Sequence, residues 1–195
     1  MNRTIITVAL AMMLGTSAMA DDWDNTAIKM TAKTDDYSIS IKDKKTGATE
    51  FHLRGDVGPI DATLKWKRDG SVDNYALKAE KKNKLATSPL YIGAHAEFMF
   101  GDSYNTDTRT MDIEPYIGVE HAIGKFTPFA EVGYTWQSKS NDVIDFDRNS
   151  SYIEFGTKYA LSAKVDAKLK IKEKRDVDFD NPGDMNAEIG LTFKF

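Results

Sequence analysis

Ala187-Glu188-Ile189-Gly190-Leu191-Thr192-Phe193-Lys194-Phe195 closes the chain, and its apolar and polar residues alternate without a break. Ala187, Ile189, Leu191, Phe193 and Phe195 fall on one side of an extended strand, and Glu188, Gly190, Thr192 and Lys194 on the other. Successive strand side chains point to opposite faces, so this stretch has one oily face and one wet face. The oily face runs to a terminal aromatic and needs a cover. On the edge of a soluble sandwich it would invite aggregation.

The same alternation recurs upstream. Ala27 to Lys33, Tyr37 to Lys42, a short piece around Phe51 and Leu53, Ile60 to Lys67, and a piece carrying Tyr75, Leu77 and Ala79 form the first half. Longer pieces follow at Leu90 to Phe100, Met111 to Val119, Ala130 to Trp136, Ile153 to Tyr159 and Val165 to Ile171. That makes eleven alternating segments and no helical period. Asp69-Gly70 is a hairpin signal between two of them.

Residues 1–20 have the form of a cleaved export signal: Arg3, an apolar run from Ile5 to Leu14, then Ala18-Met19-Ala20. That run is too short to span a bilayer as a helix. The mature chain, 21–195, is expected to be one domain. Removing the signal takes away Arg3 and no acid, moving the formal net charge from −4 to −5, which argues against a nucleic-acid partner. There is no cysteine, so neither a disulfide nor a lipid anchor on cysteine is expected. A charged fraction of 29% suits a soluble protein. It also suits a membrane barrel, where only every second strand residue meets lipid.

A small motif recurs in the later segments: Tyr91-Ile92-Gly93, Tyr116-Ile117-Gly118, Glu131-Val132-Gly133, Glu154-Phe155-Gly156 and Glu188-Ile189-Gly190. The glycine always falls on the wet face, where it would make room for large neighbours such as Tyr91, Tyr116 and Phe129. The hairpin from Glu114-Pro115-Tyr116-Ile117-Gly118-Val119 through Phe129-Ala130-Glu131-Val132-Gly133-Tyr134, together with the terminal Phe195 strand, resembles the small bacterial outer-membrane β-barrel family. That family takes in the OmpA-type transmembrane domain and short porin-family proteins. The resemblance covers roughly residues 89–195. It implies a Gram-negative outer-membrane location and contact with lipid and lipopolysaccharide. It also implies recognition by the barrel-assembly machinery through the Phe195 strand. Ending at the barrel, the chain is expected to lack the wall-binding domain of full-length OmpA-type proteins.

The fold expected is a closed antiparallel transmembrane β-barrel of ten strands, with eight or twelve as alternatives. Ala27 to Lys33 is then an extra segment, or the second strand of a twelve-stranded barrel whose first strand leaves no pattern. Long polar connections at Gly101 to Arg109, Gln137 to Ser150 and Arg175 to Asp184 all fall on the external side when strands are counted back from Phe195. Trp66, Phe100 and Trp136 fall at external strand ends and Tyr159 and Phe195 at periplasmic ends, as two interface girdles should.

The wet faces then line a lumen. Glu97, Asp112, Glu114, Glu120, Glu131 and Glu154 form an acidic wall, and Lys65, Lys67, Lys78, Lys164, Lys168 and Lys170 a basic one. Two roles compete. Charges that pair across the lumen make a structural or surface-interaction barrel; opposed open walls make a narrow porin-like channel for small polar solutes or ions. A minor third reading is an outer-membrane enzyme. His52, His95 and His121 have no partners at a catalytic spacing, so no enzyme activity is expected. No cofactor or metal site is expected. Of the acidic stretches Asn141 to Asp147 and Asp176 to Asn181, the second lacks the glycine and final glutamate of a dedicated calcium loop. The barrel is expected to be a monomer.

Overall fold

The computed structural model describes residues 26–103, 106–140, 145–176 and 184–195. The expected signal segment and most of the two acidic stretches lie outside the described residues. Among those described, the alternating segments form eleven strands: β1 (Thr26–Lys33), β2 (Tyr37–Lys44), β3 (Thr49–Val57), β4 (Ile60–Asp69), β5 (Val72–Lys84), β6 (Leu90–Ser103), β7 (Thr106–Glu120), β8 (Phe126–Ser140), β9 (Asp145–Ser162), β10 (Val165–Asp176) and β11 (Asp184–Lys194). They close into a barrel in chain order.

Sequential neighbours pair antiparallel, and the barrel closes through one parallel pair, β1 with β11. Closure aligns Ile28 with Ile189, Met30 with Leu191 and Ala32 with Phe193, so the apolar residues of both strands share the outer face. The amide of Phe195 donates to the carbonyl of Lys33 at 3.0 Å, carrying the seam to the last residue. The expected ten strands, and the alternatives of eight and twelve, are thus corrected to eleven. The physical reason is that alternation assigns faces and not direction. A strand satisfies its oily face equally beside a parallel or an antiparallel neighbour, so Ala27 to Lys33 could join without a twelfth strand.

The odd count sets two unlike ends. The turn end carries connections 34–36, 58–59, 85–89, 121–125 and 163–164, with Phe195; the loop end carries connections 45–48 and 70–71, the opposite strand ends and the start of β1. Gly70 (φ 62°) and Gly124 (φ 61°) hold left-handed turn positions that favour glycine. The strands are tilted, as barrel closure requires. One row of partners runs from Lys29 through Gly190, Lys168 and Lys158 to Thr127, near the turn end. The other way it passes Lys42, Glu50, Lys67, Asn74 and Gly101 to Thr108, near the loop end.

Strand length differs around the barrel. β1 and β2 have 8 residues each, while β6, β7, β8 and β9 have 14, 15, 15 and 18. About 9–11 tilted residues span a bilayer. The connections expected at Gly101 to Arg109 and Gln137 to Ser150 are therefore largely strand, and most of the third, Arg175 to Asp184, lies outside the described residues. Beyond Trp136, paired with Asn149, the β8–β9 ladder continues for four more pairs to Ser140 and Asp145. At about 3.3 Å per residue this is a projection of about 13 Å.

A charged lumen and its partners

The outer face is apolar. Ile39, Leu53, Leu64, Leu77, Phe98, Ile117, Val132, Phe155 and Ile189 are all exposed there. Near the loop end Phe51, Trp66, Tyr75 and Phe100 are partners in one row, with Phe51–Trp66 and Tyr75–Phe100 ring centroids 5.1 and 5.6 Å apart. Trp136 packs edge-on to Tyr134 on the same strand. At the turn end Tyr159 packs on Phe126, 4.6 Å between centroids, and Phe195 is exposed. The five aromatics singled out from sequence thus occupy the two rims.

The inner face is the reverse. Along β6 to β9 the inward glycines sit directly across from inward rings: Gly93 from Tyr116, Gly118 from Tyr91, Gly133 from Tyr152 and Gly156 from Phe129. A Cβ at any of the four would come within 2.3–2.7 Å of a ring atom. These glycines are notches cut for the rings. Tyr91, Tyr116 and Tyr152 are buried as one cluster. Each hydroxyl donates to a carboxylate: Tyr91 and Tyr152 to Glu131 at 3.0 and 2.7 Å, Tyr116 to Glu80 at 2.8 Å.

All six acids of the expected acidic wall face inward, and each has a partner. Glu97 pairs with Lys65, and Asp112 accepts from Gln137 at 2.9 Å. Glu120 meets Lys158 at 2.8 Å and Lys82 at 3.5 Å; Glu154 meets Lys170 at 3.4 Å. Glu114, only 6% exposed, accepts from Thr135 at 2.9 Å and Lys172 at 3.2 Å, with His95 at 3.6 Å. The basic wall is less uniform. Lys67 pairs with Asp69 at 3.2 Å near the loop end, and Lys78 with Glu80 at 3.3 Å. Lys168 lies over the Phe129 ring at 5.0 Å. Lys164 is a correction: it sits exposed in the β9–β10 turn, because the alternation that would have turned it inward stops at Ser162 and resumes at Val165.

Several lumen residues escaped the sequence reading. Tyr152 and Lys158 follow from the parity of Ile153 and could have been found that way. Lys42–Glu188 (2.7 Å) could not, whereas Lys44–Glu50 (2.5 Å) sits across the local β2–β3 hairpin. The first reaches from β2 across β1 to β11, and only closure brings its partners together.

Two polar cavities adjoin inside. One of ≈630 Å3 is lined by residues that include Lys29, Lys42, His52, Lys65 and Glu188. The other, of ≈430 Å3, is lined by residues that include Tyr91, His95, Glu114, Glu131 and Lys158. They share Arg54, Asp61, Lys78, Glu80, Lys168 and Lys170. On β7, β8 and β9 the linings stop at Glu114, Glu131 and Glu154. Closer to the loop end Thr108, Thr110, Thr135 and Ser150 are buried. On that wall the smaller cavity has its base at these carboxylates, while on β2 and β3 the larger one runs from Asp35 and Tyr37 at the turn end to Lys42 and Glu50, near the loop end.

A closed barrel with an apolar outside, two aromatic rims and a charged inside belongs in a bilayer. A family model described as the outer membrane protein beta-barrel domain matches residues 6–195. The chain belongs to that family. Its place is the outer membrane, and its exposed apolar strand face is the lipid-facing surface. No curated protein matches the chain.

Proposed function

We propose that this outer-membrane barrel has a structural, surface-presenting role, with its lumen braced by charge pairs and without an open path through it. The observation that carries the reading is the base of the smaller cavity, on β7, β8 and β9. Glu114 is buried and held by Lys172 and Thr135. Lys65–Glu97, Lys170–Glu154 and the Tyr152–Glu131 hydrogen bond surround it. Opposite charges this close offset one another and leave little free field along an axis. The β8–β9 ladder supports the second half of the reading, because it carries the barrel wall well past the aromatic rim and offers a rigid platform outside.

His52 and His95 serve here as partners of Glu50 and Glu114. Residues 1–20 would direct export, and the Phe195 strand would engage the assembly machinery. The narrow channel is the competing reading, favoured by the two adjoining cavities.

Planar-bilayer conductance of the refolded full chain separates the two. The wild type is expected to be silent while showing a heat-modifiable band on gels. Glu114→Ala, Glu131→Ala and Glu154→Ala together should lower stability or produce conducting steps, since they strip the base of its carboxylates. Discrete steps with a charge preference from the wild type would replace this reading with a passage.

A further inference from the structure

The recurring glycine motif has five members, and rings occupy four of the notches. The fifth, Gly190 on β11, is open. A Cβ there would meet nothing closer than 3.7 Å, an ordinary contact with the Cβ of Lys168. Its two cross-strand partners are Lys29 on β1 and Lys168 on β10. The notch is therefore flanked by two lysines and filled by neither an aromatic nor an acid; the Lys168 ammonium rests over the Phe129 ring at 5.0 Å, across β9, and would turn back over β10 to meet an anion there.

Both lysines line the ≈630 Å3 cavity. Among the described residues neither has a carboxylate oxygen within 4.0 Å. Their neighbours do: Lys42 holds Glu188, Lys65 holds Glu97, and Lys170 holds Glu154. The nearby acids are thus already engaged. An ammonium group removed from bulk water is costly without a counter-charge. Thr31, Ser40 and Thr192 line the same cavity and bring hydroxyl donors, with Thr31 and Ser40 bonded at 3.0 Å. The wall continues through Lys33 and Asp35 to the turn end.

We propose that this notch is an anion subsite, in which a carboxylate or phosphoryl group of a small solute sits over Gly190 between Lys29 and Lys168. The cavity has the volume for an anion of monosaccharide size. The subsite needs only this part of the wall, so it stands whether or not the lumen conducts.

The test is calorimetric titration of inorganic phosphate, and separately of glucuronate, into the refolded full chain in detergent at constant ionic strength. Saturable uptake of either anion, one per chain, is expected. Lys29→Met and Lys168→Met should each weaken it about tenfold, the loss of one charge-assisted hydrogen bond. Lys168→Arg should retain it. Gly190→Asp places a carboxylate in the notch, where its Cβ fits, and should abolish uptake while raising the unfolding temperature. Uptake of neither anion by the wild type, or unchanged affinity in Gly190→Asp, would overturn the proposal.

Discussion

The β6–β9 wall and the wall made by β1 to β5 with β10 and β11 use the same alternation to opposite ends. On the first, strands of 14–18 residues turn tyrosine and phenylalanine rings inward onto facing glycines, and the lumen layer is packed. On the second, strands of 8–13 residues turn lysine, arginine and carboxylate inward around open space. The first wall resembles half of a protein core, held by shape. The second is held by charge at a distance. Shape tolerates change least, because a packed ring has nowhere to go.

The sharpest way to break the comparison is a methyl group on each wall. Gly156→Ala sets a Cβ 2.2 Å from the carbonyl oxygen of Leu169 and 2.7 Å from the Phe129 ring, and backbone cannot yield as a side chain tip can. A loss of about 3 kcal/mol is expected, the upper end of overpacking costs. Gly190→Ala, on the open notch, should stay within about 0.5 kcal/mol, the usual range for a change that meets no constraint. Urea unfolding of the two variants in detergent checks both. Equal losses would show that the two walls are not packed differently.

A smaller effect separates shape from hydrogen bonding on the packed wall. Tyr152→Phe keeps the ring in the Gly133 notch and removes the 2.7 Å bond to Glu131. Tyr91 still donates to that carboxylate, so the loss should be about 1.5 kcal/mol, that of one bond to a charged group. Thermal unfolding followed by loss of the heat-modifiable band measures it, and a loss as large as that of Gly156→Ala would place the energy in the bond instead of the fit.

The smallest effect belongs to the charged wall near the loop end. Lys67 and Asp69 are part-exposed, at 32% and 49%, and their 3.2 Å pair is screened by water. Lys67→Ala should change the unfolding midpoint by less than about 0.5 kcal/mol. A larger loss would show that the rim of the open wall is as tightly organised as its interior.

Much of this architecture was legible in the chain. Alternation in Ile189-Gly190-Leu191 or Leu64-Lys65-Trp66 assigns each residue a face, and the faces assigned are those the barrel uses. The inward position of the repeated glycines follows from the same parity. Parity turns Glu97, Asp112 and Glu114 into the lumen and says nothing of what they meet there. It misplaces Lys164, whose turn interrupts the period.

Local pattern alone thus determines strand, face and rim, since each depends on residues one or two positions away. The tertiary structure decides what depends on going once around the barrel. That includes the parallel seam of Ile28 with Ile189, the eleventh strand, the Lys42–Glu188 pair across β1 and the position of Lys29 beside Gly190. A period of two carries no information about direction or about which wall stands opposite. Those follow only when closure fixes the tilt and brings the first strand against the last.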